Sequence, residues 1–74
     1  MKNINENGKT SKSQTDLILE WMLAGNTITQ LEALEKFGCS RLASRVSDIK
    51  ARGYLVYSDR IILPSGKKVA QYHL

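Results

Sequence analysis

Residues 38–53 read GCSRLASRVSDIKARG, with a glycine at each end and four basic side chains between them. At about 100° per residue, Leu42, Val46 and Ile49 fall within about 60° of one another on a helix. Such a stripe must face a core, with Ala43 at its margin. Arg41, Ser44, Ser47, Asp48 and Ala51 fall on the opposite side, and Arg45 and Arg52 lie on the flank near Arg41. Ser40 is placed to cap this helix, expected over Arg41–Arg52, and Gly53 to close it.

The residues before this stretch set its partner. Thr29 precedes a helical pattern with Glu32 at the third helical position, a capping box, and the helix runs through Ala33, Leu34 and Phe37 to stop at Gly38. Only Cys39 and Ser40 then separate the two helices, so the pair must diverge at a large angle in helix-turn-helix geometry. Further upstream, SQTDLILEWMLAGN (13–26) opens on Ser13 with Asp16 three residues on and closes at Gly25-Asn26. Thr15, Ile18, Leu19 and Met22 make its core-facing stripe. Leu17, Trp21 and Ala24 make a second one on another side. Two readings of that second stripe stay open. The favoured one packs it against the C-terminal strand or the N-terminal arm, because a thin core recruits its aromatics; the other makes it a homodimer contact. Thr27-Ile28 is expected to supply a brief strand.

After Gly53 the texture turns β-like: YLVYSDRIIL, then the break PSGKK, then VAQYHL. Leu63-Pro64-Ser65-Gly66 has Pro second and Gly fourth, as a type I turn prefers, so a hairpin follows with Lys67 and Lys68 just past its tip. Ala70, Tyr72 and Leu74 alternate with Val69, Gln71 and His73, so one of the two sets packs inward. The first twelve residues are polar and without periodicity; they read as a flexible arm, leaving residues 13–74 as the domain.

Seventy-four residues make one small domain with a thin core and no room for an enclosed active site. Hydrophobic residues at 42% and charged residues at 24% suit a globular chain rather than a disordered one. No apolar run approaches the roughly 18 residues of a membrane span, and MKNINENGKTSK lacks a signal peptide's apolar centre, so a cytoplasmic location is expected. Cys39 is the sole cysteine, which rules out an internal disulfide and a cysteine-based zinc site. His73 is likewise alone and reads as a surface residue at a strand end. Paired catalytic carboxylates, a Ser–His–Asp set and a phosphate-cradling glycine loop are all missing. The residues therefore point away from an enzyme and call for no cofactor and no metal.

Charge is informative by location. Residues 1–38 hold four lysines against five carboxylates, a net of −1, whereas residues 39–74 hold seven basic side chains against two acidic ones, a net of +5. That asymmetry points to a polyanionic partner. The outer side of the 41–52 helix combines arginine with small hydroxyl residues, a set able to enter the roughly 12 Å wide major groove of DNA. Arginine bonds guanine O6 and N7 bidentately, serine bonds several base edges, and alanine meets a thymine methyl. Ser40, Arg41 and Ser44 lie in the N-terminal half that usually reaches bases, with Arg45, Ser47, Lys50 and Arg52 behind them. Arg60, Lys67 and Lys68 are the candidate phosphate contacts of the hairpin, with Lys9 and Lys12 of the arm adding charge. A plainer account stands beside this one. Asp48–Arg52 and Arg45–Asp48 are spaced as i,i+4 and i,i+3 helix pairs, Arg52 suits the helix dipole, and hairpin lysines discourage edge aggregation.

The run ITQLEALEKFGCSRLASRVSDIKARGYLV, with its IT-x-x-EA opening and the closing KKV…YHL strand, resembles the small winged helix-turn-helix domains of phages, prophages and bacterial regulators. The resemblance covers about residues 15–74. It implies an α+β fold of three helices plus a C-terminal β-hairpin wing, with 41–52 as recognition helix and 63–69 as wing. It further implies double-stranded DNA binding, carried onto Arg41, Ser44, Arg45, Lys67 and Lys68. Asp48 departs from a purely basic outer face: it either orients Arg45 or Arg52, or weakens phosphate contact. The function expected is thus sequence-specific DNA binding by a small transcriptional or phage regulator. The alternative is a winged-helix protein-interaction module or inhibitor, with binding of structured RNA a third reading.

Overall fold

The computed structural model describes residues 12–74. The arm expected over residues 1–12, Lys9 included, lies outside them apart from Lys12, which pairs with Glu20. The chain order is α1 (Gln14–Leu23), β1 (Ile28–Thr29), α2 (Gln30–Phe37), α3 (Leu42–Ala51), β2 (Tyr57–Ile62) and β3 (Lys68–His73). This is the expected order, with β1 one residue later than Thr27-Ile28 and β2 starting at Tyr57 rather than Tyr54.

Local chemistry explains the helix starts. Ser13 accepts from the Asp16 amide while Asp16 accepts from the Ser13 amide, so two otherwise unpaired helix-end donors are satisfied at once. Thr29 and Glu32 repeat the device on α2. At the end of α2, Gly38 turns left-handed (φ 63°), the conformation a Cβ disfavours, and the Gly38 and Cys39 amides bond back to Leu34 and Ala33.

The core lies where the three helices meet the sheet. Ile18, Leu19 and Met22 of α1, Ile28 of β1, Ala33 of α2, Cys39 of the turn, and Leu42, Val46 and Ile49 of α3 are buried together. Both predicted inward stripes are therefore realised. Burying one such aliphatic side chain contributes about 1.5–3 kcal/mol, which makes the α3 stripe a principal reason the helix forms at all. Ala43, expected at the core margin, is exposed.

The second stripe of α1 finds a neighbour that the expectation did not name. Trp21 packs edge-on against Phe37 of α2, ring centroids 6.0 Å apart, with the Lys36 ammonium 5.0 Å from its ring. Its Nε1 donates to the Thr27 carbonyl at 2.9 Å. Trp21 thus closes the α1–α2 side; the arm, one of the two neighbours expected for it, lies outside the described residues apart from Lys12. Leu17 is half-buried and Ala24 exposed.

The three strands form an antiparallel sheet in the order β1-β3-β2. The register runs from Tyr57 opposite His73 at the base to Ile62 opposite Lys68 near the tip, and β1 pairs only with Gln71 and Tyr72. The hairpin therefore extends beyond its last neighbour. Its turn is closed by the Gly66 amide on the Leu63 carbonyl at 2.7 Å and the Leu63 amide on the Lys67 carbonyl at 2.8 Å. Gly66 at φ 88° supplies the left-handed residue that such a bulged hairpin requires.

Candidate nucleic-acid interface

The candidate side chains stand on two elements, α3 and the β2–β3 hairpin. α3 is anchored from below by Leu42, Val46 and Ile49. Its flank toward α1 is also occupied. Thr15 Oγ1 donates to Asp48 Oδ2 at 3.1 Å, and Arg45 Nε, shielded from solvent, sits 3.3 Å from that same oxygen as an ion pair without hydrogen-bond alignment. One turn on, Arg52 donates to Asp16 Oδ1 at 2.7 Å. The Arg45–Asp48 pair is the one the spacing predicts. Arg52 instead reaches the α1 capping carboxylate, because Asp48 is already turned toward Thr15 and Arg45.

Asp16 consequently serves two partners, Arg52 through Oδ1 and the Ser13 amide through Oδ2. The Arg52 hydrogen bond, and after it those from Ser13, hold its carboxyl below the usual aspartate value.

The rest of α3 is open. Arg41, Ala43, Ser47, Lys50 and Ala51 are exposed and Ser44 is half-exposed. Neither Arg41 nor Lys50 has an ion-pair partner among the described residues. Ser40 is exposed too, but it does not cap α3. The helix begins one residue later than expected, with Arg41 in the cap position and no side-chain cap bond of its own. The Leu42 amide is instead taken by Gln30 Oε1 at 2.8 Å, while Gln30 Nε2 donates to the Cys39 carbonyl at 2.7 Å. On the other side of the turn, Gln14 Nε2 donates to the Phe37 and Gly38 carbonyls at 3.3 and 3.1 Å. No local sequence signal marks either glutamine, since each acts on backbone far along the chain.

On the hairpin, Arg60, Lys67 and Lys68 are all exposed. Cross-strand partners share a sheet face, so Arg60 with Ala70 and Ile62 with Lys68 continue the face of Tyr72. Tyr72 and Leu74 pack against the core, so this is the helix-side face of the sheet. The other face carries Tyr57 stacked on His73 (centroids 5.7 Å apart) and His73 Nε2 3.0 Å from Asp59 Oδ2. His73 is thereby accounted for by structural neighbours. No described helix is long and apolar enough to cross a membrane.

Three helices in which the third follows the second across a four-residue turn, plus a projecting hairpin, define the winged helix-turn-helix class, an α+β architecture. The family described as "Winged helix-turn-helix domain" matches residues 13–74, and the chain belongs to it. No curated protein and no solved structure matches the chain. Winged helix-turn-helix domains are a DNA-binding type and not typically enzymes, which suggests DNA as the partner.

Proposed function

We propose that this chain binds double-stranded DNA sequence-selectively, as a small transcription regulator of the kind found in phages and prophages, in the cytoplasm. In this reading the open side of α3 enters the major groove. Arg41 and Ser44 read base edges, with Ser40 and Ser47 beside them. Lys50, Arg60, Lys67 and Lys68 take phosphates. Arg45 and Arg52 tie α3 to its surroundings first and add to the field second. The observation that carries the reading is the sorting of charge on α3: acidic partners gather on the α1 flank, and Arg41 and Lys50 are left exposed beside small hydroxyl and methyl side chains.

A titration of duplex DNA at several salt concentrations tests it. With about four to six phosphates neutralised, affinity falls with salt at a log–log slope of roughly −4 to −5. A flat response removes the electrostatic basis of the proposal. A parallel titration of duplex RNA separates the two nucleic acids.

One observation favours a second reading. Leu31 and Leu34 of α2 are 54% and 50% exposed, an apolar pair suited to docking on a protein or on another copy of the chain. The Leu17, Trp21, Ala24 stripe is a weaker dimer candidate, since Trp21 is engaged within the chain. Salt-insensitive binding to a protein, unchanged by Arg41→Ala, is the result that would select this reading.

A further inference from the structure

The start of α3 has an unusual support. A helix leaves its first four amides without intrahelical acceptors, and an N-cap side chain ordinarily takes one of them. Here the cap residue is Arg41, which makes no such bond. Leu42, the first helical residue, is 1% exposed, so its surroundings offer little water to replace a missing acceptor. The acceptor is Gln30 Oε1, reached from the first residue of α2. The same amide group donates to the Cys39 carbonyl inside the turn. Gln30 is the first residue after the Thr29 cap, so the Thr29–Glu32 capping box fixes the backbone that carries it. One planar side chain thus links the beginning of α2, the turn, and the beginning of α3.

We infer that Gln30 is the positioning residue of the recognition helix: its amide fixes where α3 starts, and hence where Arg41 and Ser44 stand. The inference rests on the DNA-binding reading for its consequence, though not for its geometry. The physical ground is leverage. Arg41 and Ser44 flank the Leu42 amide, so a shift of about 1 Å at that point moves both out of reach of base edges, where hydrogen bonds weaken steeply with misplacement. Phosphate contacts from lysines on flexible stems tolerate such a shift. Loss of the clamp is therefore expected to damage sequence selectivity more than general affinity.

The test uses the full chain, a duplex selected from a random pool, and a scrambled duplex of equal length and charge. In Gln30→Ala, amide exchange at Leu42 speeds up about tenfold while that at Ile49, deep in the same helix, stays within about twofold. Affinity for the selected duplex falls about tenfold, and affinity for the scrambled duplex stays within about twofold. Gln30→Glu is the rescue variant. It keeps an acceptor for Leu42 but not the donor to the Cys39 carbonyl, so protection at Leu42 and the selected-to-scrambled ratio stay closer to the parent than in Gln30→Ala, even though the added charge weakens both duplexes alike. A role in stability alone lowers the melting temperature and leaves that ratio intact. The inference is overturned if Leu42 stays protected in Gln30→Ala, if the ratio survives faster exchange, or if Gln30→Glu loses the ratio as alanine does. A parent chain that binds neither duplex, or selects no sequence, overturns the DNA reading and this role with it. The exchange data then still report whether the clamp itself exists.

Discussion

The basic residues of α3 are alike in type and do different things. Toward α1, Arg45 and Arg52 meet Asp48 and Asp16, and Thr15 fixes Asp48 from below. Arg41, near the helix start on that same flank, and Lys50, on the other flank, meet solvent. The same guanidinium is a tie between helices at Arg52 and, at Arg41, a cation without an ion-pair partner among the described residues. What separates them is the reach of α1, whose Thr15 and Asp16 meet α3 at Asp48 and Arg52. Charge on a helix therefore becomes a binding surface only where the tertiary neighbours leave it unneutralised.

That contrast can be broken most directly by alanine substitution. Arg41→Ala is expected to cost about 1–3 kcal/mol of binding to a preferred duplex and to relax base preference. Arg52→Ala should leave the affinity of the folded protein within about twofold, a difference read by fluorescence anisotropy on the same duplexes; equal losses from both variants would erase the distinction between the two arginines. The next effect in size belongs to the wing. Lys67→Ala is expected to weaken all sequences alike and to reduce the magnitude of the salt slope by about 1. Loss of selectivity there would instead mean that the wing reads bases.

Asp48→Asn sharpens the comparison from the acidic side. It removes the charge opposite Arg45 while keeping an oxygen for Thr15, so nonspecific DNA affinity should rise by about two- to threefold at low salt. An unchanged affinity would indicate that this flank stays remote from the phosphates.

The smallest effect is a pH dependence of stability. Asp16 has a folded-state pKa below its ordinary value, chiefly through Arg52 and then Ser13. Its stabilising contribution is present above the unfolded aspartate value of about 4 and is lost as pH falls through the lower folded one. Thermal melts between about pH 5 and pH 2 should therefore show a shallower acid limb in Arg52→Ala than in the parent chain. Identical limbs would show that Arg52 does not hold the Asp16 carboxyl in solution.

Much of this arrangement follows from local rules. Ser13 with Asp16, Thr29 with Glu32, and Gly38 and Gly66 at left-handed positions mark where elements begin and end, because caps and turns are satisfied by residues three or four apart. The 3.6-residue stripes of α1 and α3 named the inward faces correctly, since burial of those side chains is what forms the helices. The candidate site was less accessible to the same rules. Ser40 looked like the cap of α3, but Arg41 holds the cap position and the Leu42 amide is taken by Gln30 from another helix. Arg52 looked paired within α3, and its partner is Asp16 on α1. Trp21 was expected against the last strand or the arm, and the partner the structure gives its ring is Phe37 of α2.

The amino-acid sequence alone thus determined the order of elements, their inward faces and the concentration of positive charge in the second half of the chain. Each of these depends on neighbours within one or two helical turns, or on a sum over residues. Only the tertiary structure decided which cations remain free, what holds the start of α3, and which face of the hairpin Arg60 and Lys68 share. Those outcomes depend on where a side chain 12 to 36 positions away comes to rest, and a linear pattern carries no record of that distance.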